Sequence, residues 1–201
     1  MVSQATLNRK FINAAMYQHD YAAMLDALKQ GADIHMDDEN ALCYAASNGH
    51  SELMALLLDH GANAHVNNGE PLGAAAGGGQ TVTTAQLLAH GADPHVNNDY
   101  ALESAVINRH ASTTALLKSH EKLEALSADY AGQAPKAAVR ALVYQAAAIA
   151  ALCGMDEQQV VDFVSGAMQC GKLDTESSRI HPERALDPAQ WSALERQGRG
   201  Q

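Results

Sequence analysis

A five-residue segment occurs three times in this chain at a fixed spacing of 30 residues. It reads Gly-Ala-Asp-Ile-His at residues 31–35, Gly-Ala-Asn-Ala-His at residues 61–65 and Gly-Ala-Asp-Pro-His at residues 91–95. Glycine often follows the last turn of a helix, because it adopts the left-handed backbone that ends the helix without a steric penalty. A fixed period of this length is typical of a solenoid of stacked repeats. The spacing therefore predicts a scaffold in which one helix ends, and the next unit begins, at each copy.

Two short helices are expected in each unit, and residues 31–60 show the pattern most clearly. A first helix is predicted at about residues 39–47, where apolar residues recur at helical spacing. A tight return at residues 48–50 leads to a second, leucine-rich helix. Before the first helices, short polar residues are expected to cap the exposed backbone amides. These residues are Asp38, Asn68 and Asn98.

Three longer strings carry the same order of residues. They read ALCYAASNGHSELMALLLDHGAN at residues 41–63, PLGAAAGGGQTVTTAQLLAHGAD at residues 71–93 and ALESAVINRHASTTALLKSHEKL at residues 101–123. A leucine, paired alanines, a Gly-His return, a leucine run and Gly-Ala-Asp/Asn follow one another in the first string. This order resembles the central pattern of the ankyrin repeat family. The resemblance covers about residues 3–123 and implies an all-α solenoid of about four helix pairs with short turns.

The chain departs from the family pattern in its period and in its third pair. The family period is about 33 residues, and the three missing residues fall before the first helix, so the projecting turn should be short. In the third pair, Gly77-Gly78-Gly79 and the β-branched run at residues 81–84 both lower helix propensity. The third pair is therefore expected to be the softest.

The character of the sequence changes after residue 123. Residues 127–135 are the expected boundary, followed by an apolar helix that begins near Pro135 and a second that Asp156 can cap. A short third helix is predicted after Asp187-Pro188, with Trp191 as its hydrophobic anchor. The predicted domains are a repeat array at residues 1–123 and a helical extension at residues 124–201 with a frayed tail. We expect the extension to cap the open end of the array, because terminal repeats expose an apolar face.

Composition and charge exclude several classes of partner. The formal net charge is −10 and basic residues form no stripe, which argues against binding to nucleic acid or to anionic lipid. Cys43, Cys153 and Cys170 are odd in number and form no CxxC pair, which indicates a reducing compartment. The first residues do not resemble a secretory signal, and the most apolar run, residues 141–153, is too short to span a membrane. These features predict a soluble, cytoplasmic protein.

No spacing in the chain points to catalysis or to a cofactor. Nucleophile elbows, phosphate-binding loops, zinc-ligand spacings and dinucleotide fingerprints do not occur in the sequence. Nine of the ten histidines lie in residues 1–120 and form two columns, one at 35, 65 and 95 and one at 60, 90 and 120. Metal ligands lie about 2 Å from their ion, whereas stacked helices are roughly 10 Å apart. One column therefore cannot share an ion, and we expect no metal, no cofactor and no enzyme activity.

The resemblance implies a protein-binding surface made of the turn tips and the exposed face of the first helices. The residues at these positions are Asp37, Glu39, Ser47, Asn48, Asn67, Gly69, Gly78, Asn97, Asp99, Ile107 and Asn108. Their polar and acidic character favours a protein partner with a basic patch. Two alternatives stay open: the repeats target an activity held by residues 134–196, or the chain is a small acidic inhibitor or immunity-type protein that occludes a basic target. The pattern specifies no oligomeric state.

Overall fold

The computed structural model describes residues 3–18, 20–130 and 136–169, and every regular element in these ranges is helical. The elements are α1 (Gln4–Ile12), a π-helical segment (Asn13–Gln18), α2 (Tyr21–Lys29), α3 (Met36–Asn48), α4 (Ser51–Asp59), α5 (Val66–Gly77), α6 (Thr81–Ala89), α7 (Val96–Ile107), α8 (Ala111–Lys118), α9 (His120–Tyr130), α10 (Lys136–Leu152) and α11 (Glu157–Gln169). Helices α3, α5 and α7 stack as one layer, and α4, α6 and α8 stack as a second. The predicted all-α solenoid is confirmed.

The repeated five-residue segment forms the same hinge in every copy. Its glycines, Gly31, Gly61 and Gly91, have φ angles of 96°, 95° and 94°. The backbone amides of His35, His65 and His95 donate to the side chains of Asp33, Asn63 and Asp93 at 3.0, 3.0 and 2.9 Å. Glycine takes such φ angles freely, and a short Asp or Asn side chain readily accepts from the backbone two residues on. The glycine therefore ends one helix, and the Asp or Asn directs the chain into the next.

Small side chains let the helices of the array pack closely, and leucines fill the space between the layers. The paired alanines of α3 and α5 are completely buried, as are leucines of α4 and α6: Ala45, Ala46, Ala75, Ala76, Leu53, Leu57, Leu87 and Leu88. Full burial of a leucine side chain stabilises a fold by about 1.5–3 kcal/mol relative to exposure. Packing between the layers is therefore the main source of stability in the array.

The array ends where the hinge glycine is missing. Glu121 stands at the position of Gly61 and Gly91, and the chain continues into α9 immediately after α8. The backbone amide of Leu123 donates to Ser119 at 3.0 Å, as in a helix that has not been stopped. Helix α9 was not predicted as a separate element, and it contains the limit between the predicted domains, residues 123 and 124, and the first part of the expected boundary at residues 127–135.

Helix α10 lies along the second helices of the array, against α6 and α8, and also packs on α9 and α11. We expected the extension to cover the open end of the array, which is formed by α7. Among the described helices, however, α7 has close contacts only with its neighbours α5 and α8. The reason lies in α6, whose threonines are small and buried. The hydroxyls of Thr83 and Thr84 donate to the backbone carbonyl of Gln80 at 3.0 and 2.9 Å, so both buried hydroxyl groups have a hydrogen-bond acceptor. Helix α10 thus packs on α6, the helix that carries part of the run expected to weaken the third pair.

A polar cluster joins the extension to the array. The guanidinium of Arg140 donates to the carbonyl of Leu88 at 2.9 Å and pairs with Glu124 at 2.9 Å. The hydroxyl of buried Tyr144 donates to the same carboxylate at 2.9 Å and lies 2.6 Å from Nδ1 of His120. Because that hydroxyl has a single proton, Nδ1 of His120 must carry the proton of the second bond. Burial raises the pKa of Tyr144 far above its usual range and lowers the pKa of His120.

Candidate protein-interaction surface

Two turn tips have an unusual backbone. Asn67, Asn68 and Gly69 have φ angles of 49°, 54° and 79°, and the equivalent residues Asn97, Asn98 and Asp99 have 53°, 57° and 61°. Each tip is therefore a single left-handed turn of three residues placed before the regular part of α5 or α7. A left-handed turn costs roughly 1–2 kcal/mol per residue for most side chains, and Gly, Asn and Asp tolerate it best. The composition Asn-Asn-Gly or Asn-Asn-Asp follows from this backbone.

This geometry corrects the expected role of Asn68 and Asn98 as helix caps. Both residues have left-handed backbone, and the side-chain hydrogen bonds of the tips come instead from Asn67, to Glu70, and from Asn97, to the carbonyl of Asn68. The short turn also explains how a period of 30 residues suffices. One left-handed turn replaces the longer hairpin that a period of about 33 residues provides.

Hydrogen bonds link neighbouring tips into a row. Asn97 donates from its side chain to the carbonyl of Asn68, in the preceding tip, at 3.1 Å. Within its own tip, Asn67 donates to the carboxylate of Glu70 at 3.0 Å. His95 and Asp99 pair at 2.6 Å through Nδ1, and this hydrogen bond raises the pKa of His95. The tips therefore present a continuous polar edge with defined side-chain positions.

Glycines in α5 and in the turn after it allow close approach of the neighbouring repeats. A Cβ atom on Gly73 would lie 2.7 Å from the ring of Tyr100, and one on Gly78 would lie 3.3 Å from the carbonyl oxygens of Ala74 and Ser47. Asn108 donates to the carbonyl of Gly77, one repeat earlier, at 3.0 Å. In the next repeat, Tyr100 and Ile107 of α7 are exposed.

Comparison with known proteins identifies the array. Residues 11–98 match the family model described as ankyrin repeats, in three copies. This part of the chain is an ankyrin repeat array. No curated protein matches the chain. Ankyrin repeats are in general protein–protein interaction modules, typically without enzyme activity. The match ends at the tip before α7, and the fourth pair, α7 and α8, continues the stacking of the ankyrin array.

Most of the predicted surface residues are exposed in the ankyrin array. The exposed ones are Ser47, Asn48, Asn67, Gly78, Asn97, Asp99, Ile107 and Asn108, and Gly69 is half-buried. The side chains of Asp37 and Glu39 lie outside the described residues. Asn48 and Asn108 also serve the array itself, since Asn48 donates to Tyr44 at 2.9 Å and Asn108 bridges two repeats. The side-chain amides of Asn48 and Asn108 therefore already form hydrogen bonds within the array.

Sequence reasoning missed two exposed apolar residues of this region, Tyr100 and Val106. A signal for Val106 was available, because it replaces the second of the paired alanines, Ala46 and Ala76. Tyr100 stands where the two earlier repeats have Asn40 and Glu70, so its ring is new to the fourth repeat.

The two histidine columns meet at the end of the ankyrin array. The ring centroids of His95 and His120 are 6.2 Å apart, and those of His120 and Tyr144 are 5.9 Å apart. Among the described residues, no group of three or more His, Cys, Asp or Glu side chains is arranged to hold a metal ion. The arrangement instead forms a hydrogen-bonded cluster at the junction with the extension.

Proposed function

We propose that the ankyrin array binds a protein partner through the row of tips and the exposed face of α3, α5 and α7. One observation supports this choice above others: eight of the nine described residues in the predicted surface are exposed. Stacked repeats offer such an extended surface because each unit contacts only its neighbours and leaves the same side open. The activity proposed is binding alone, without catalysis and without a cofactor.

The charge of the chain supports a partner with a basic patch and argues against nucleic acid. The net charge is −10, and a surface of this sign attracts cationic surfaces and repels phosphate groups. Within the described residues, no helix combines the length and apolar character needed to cross a bilayer. Protonated His95 would offset the negative charge of Asp99, because the two side chains pair. This tip is therefore more negative when His95 is neutral. Binding of a basic partner at this tip is therefore expected to strengthen as the pH rises through the pKa of His95.

Charge reversal on the surface tests the proposal. Replacing three acidic residues of the tips with lysine, as Asp37→Lys, Glu39→Lys and Asp99→Lys, should abolish capture of the partner by the full chain. The matched control reverses three exposed carboxylates elsewhere, as Asp26→Lys, Asp59→Lys and Asp129→Lys. Quantitative mass spectrometry of proteins captured from native lysate compares the two variants with the wild type.

Both variants change the net charge of the chain by the same amount. Their comparison therefore shows whether a partner recognises the row of tips or only the overall negative charge. Proteins held by the wild type and by the control, and absent from the tip variant, support the proposed surface. Equal capture by the tip variant would show that partners bind elsewhere. Equal loss from both variants would show attraction by overall charge, which is the narrower reading of an acidic inhibitor that occludes a basic target.

A further inference from the structure

The side of α7 that points away from α5 has no described repeat packed against it. In α5, the equivalent side faces the next repeat: a Cβ on Gly73 would lie 2.7 Å from the ring of Tyr100, and one on Gly77 would lie 3.5 Å from a side chain of α7. Ala76 of α5 is completely buried, whereas Val106, its equivalent in α7, is 51% exposed. The loss of burial at this position shows that the next repeat provides the cover in the interior of the array.

Glu103 lies on this side of α7 among three exposed apolar side chains. Tyr100 precedes it by three residues, and Val106 and Ile107 follow it by three and four. Residues at these spacings are neighbours on the surface of a helix. Tyr100 is 53% exposed and Ile107 is 68% exposed, and Glu103 is exposed as well. We term these four residues, one carboxylate within an apolar surround, the α7 patch.

The α7 patch is ready to receive a partner. Within the part of the chain that the structure describes, neither a hydrogen bond nor an ion pair engages the carboxylate of Glu103. The carboxylate of Asp99 nearby in the chain, by contrast, pairs with His95 at 2.6 Å. The ring of Tyr100 has a defined place, because it lies against Gly73 of the preceding repeat. A side chain that is already positioned loses less conformational freedom when a partner binds.

An arginine side chain matches the chemistry of the α7 patch. Its guanidinium can form two parallel hydrogen bonds with one carboxylate, here that of Glu103. The same planar group is attracted to the face of an aromatic ring such as that of Tyr100. The apolar stem of an arginine packs favourably on apolar side chains such as Val106 and Ile107. The net charge of −10 also favours the approach of a basic segment.

A helix is the element that fits along this side of α7. Along the equivalent sides of α3 and α5 lies the first helix of the next repeat. Glycine and alanine, at residues 73, 76 and 77, allow that close contact in α5. The larger side chains of the α7 patch keep a partner helix further off, near the upper end of the usual interaxial distance of about 8–10 Å. A second copy of this chain fits less well, since it brings its own net charge of −10.

We propose that the α7 patch binds a partner helix that carries an arginine with apolar residues one turn before and one turn after it. The arginine pairs with Glu103 and stacks on Tyr100, and the flanking apolar residues pack against Val106 and Ile107. This inference rests on the proposed function, because it names the kind of partner that the exposed face of α7 selects. Ile107 keeps its predicted place in the partner-binding surface, and Glu103 becomes the charged centre of that surface at α7.

A synthetic peptide tests the proposal with the full chain. The probe is a helical peptide of alanine and glutamine with one arginine, and with leucine three residues before and four residues after the arginine. The control peptide has the same composition, with both leucines on the opposite face of its helix. Fluorescence anisotropy of the labelled peptides should show that the control peptide binds about tenfold more weakly or worse, a difference of about 1.4 kcal/mol.

Exchange of charge between the chain and the peptide tests the ion pair. Glu103→Arg should weaken binding of the arginine peptide by about tenfold or more. The same variant should bind a peptide in which glutamate replaces the arginine. Asp129→Arg makes the same change of charge at an exposed residue of α9 and should leave both affinities unchanged. Circular dichroism establishes that each variant is folded, and Glu103→Gln, with the same expected weakening, replaces Glu103→Arg if that variant does not fold.

Three results would overturn the proposal. The first is a wild type that binds neither arginine peptide or binds both equally. The second is a Glu103→Arg variant that still binds the arginine peptide as tightly as the wild type does. The third is self-association of the chain, measured by sedimentation at increasing concentration, that Glu103→Arg abolishes, since a second copy would then occupy the α7 patch.

Capture from native lysate separates this proposal from the proposed function. If the tip variant loses its partners while Glu103→Arg retains them, the row of tips binds and the α7 patch does not, which overturns the present proposal alone. If Glu103→Arg loses partners that the tip variant and Asp129→Arg retain, and the arginine peptide binds as expected, the α7 patch is supported and the role of the tips is overturned.

Discussion

The third and fourth helix pairs share one pattern, yet one lies inside the array and the other ends it. In α5, the side facing the next repeat consists of Gly73, Ala76 and Gly77, and a hinge glycine follows the pair at residue 91. In α7, the same positions hold Glu103, Val106 and Ile107, and the hinge position holds Glu121. Small residues admit a further repeat and larger ones prevent it. The difference teaches that the array is terminated twice, by the shape of its face and by the loss of its hinge.

Equivalent leucines should show the largest difference between the two pairs. Leu72→Ala removes a fully buried side chain between two repeats and should cost about 2–5 kcal/mol in the free energy of unfolding. Leu102→Ala should cost less than half as much, because Leu102 has a repeat on one side only. Urea denaturation with unchanged slope measures both values. Equal costs would mean that the end of the array is packed as tightly as its interior.

Exchanging the second alanine between the pairs should have a smaller effect. Ala76→Val copies the fourth repeat into the third and should destabilise by about 1–3 kcal/mol, because the added methyl groups overpack a completely buried contact. Val106→Ala makes the opposite exchange at an exposed site and should change stability by about 1 kcal/mol or less. If Ala76→Val left the free energy of unfolding unchanged, α5 and α7 would be able to move apart without cost.

The smallest effect concerns the histidines that begin and end the fourth pair. The hydrogen bond to Asp99 raises the pKa of His95, so its stabilising contribution is present at low pH and is lost as the pH rises through that pKa. Burial lowers the pKa of His120, despite the nearby carboxylate of Glu124, so its contribution is lost as the pH falls below about 6.5. The two contributions oppose each other and should give a stability maximum near neutral pH.

The variant His95→Gln distinguishes the contribution of His95 to stability from that of His120. Its melting temperature should fall below that of the wild type more at pH 6 than at pH 8, because only protonated His95 pairs strongly with Asp99. His65→Gln, at the equivalent hinge of the third repeat, is the matched control without this pair, because Gly69 takes the place of Asp99 there. A wild type and a His95→Gln variant that differ equally at both pH values would contradict the assignment.

The sequence by itself determined the hinges and the stacking. The fixed spacing of 30 residues and the glycine that stops each helix are local signals, because a positive φ angle and a helix cap depend on residues next to each other. For the same reason Ser3, Asp20 and Asp156 cap their helices as their residue types predict. Ser47, Asn97 and Ile107 of the candidate surface are exposed, and their role in binding stays a prediction.

Only the tertiary structure decided where the extension lies, what the tips are and how the array ends. Helix propensity marked residues 81–84 as weak, but Thr81, Thr83 and Thr84 are buried in α6, on which α10 packs, and tertiary packing outweighs propensity there. The left-handed tips at residues 67–69 and 97–99 satisfy the backbone, so Asn68 and Asn98 do not have the capping role that their residue type suggests. The place of α10 depends on contacts between residues far apart in the chain, such as Arg140 with the carbonyl of Leu88, and no local pattern encodes it.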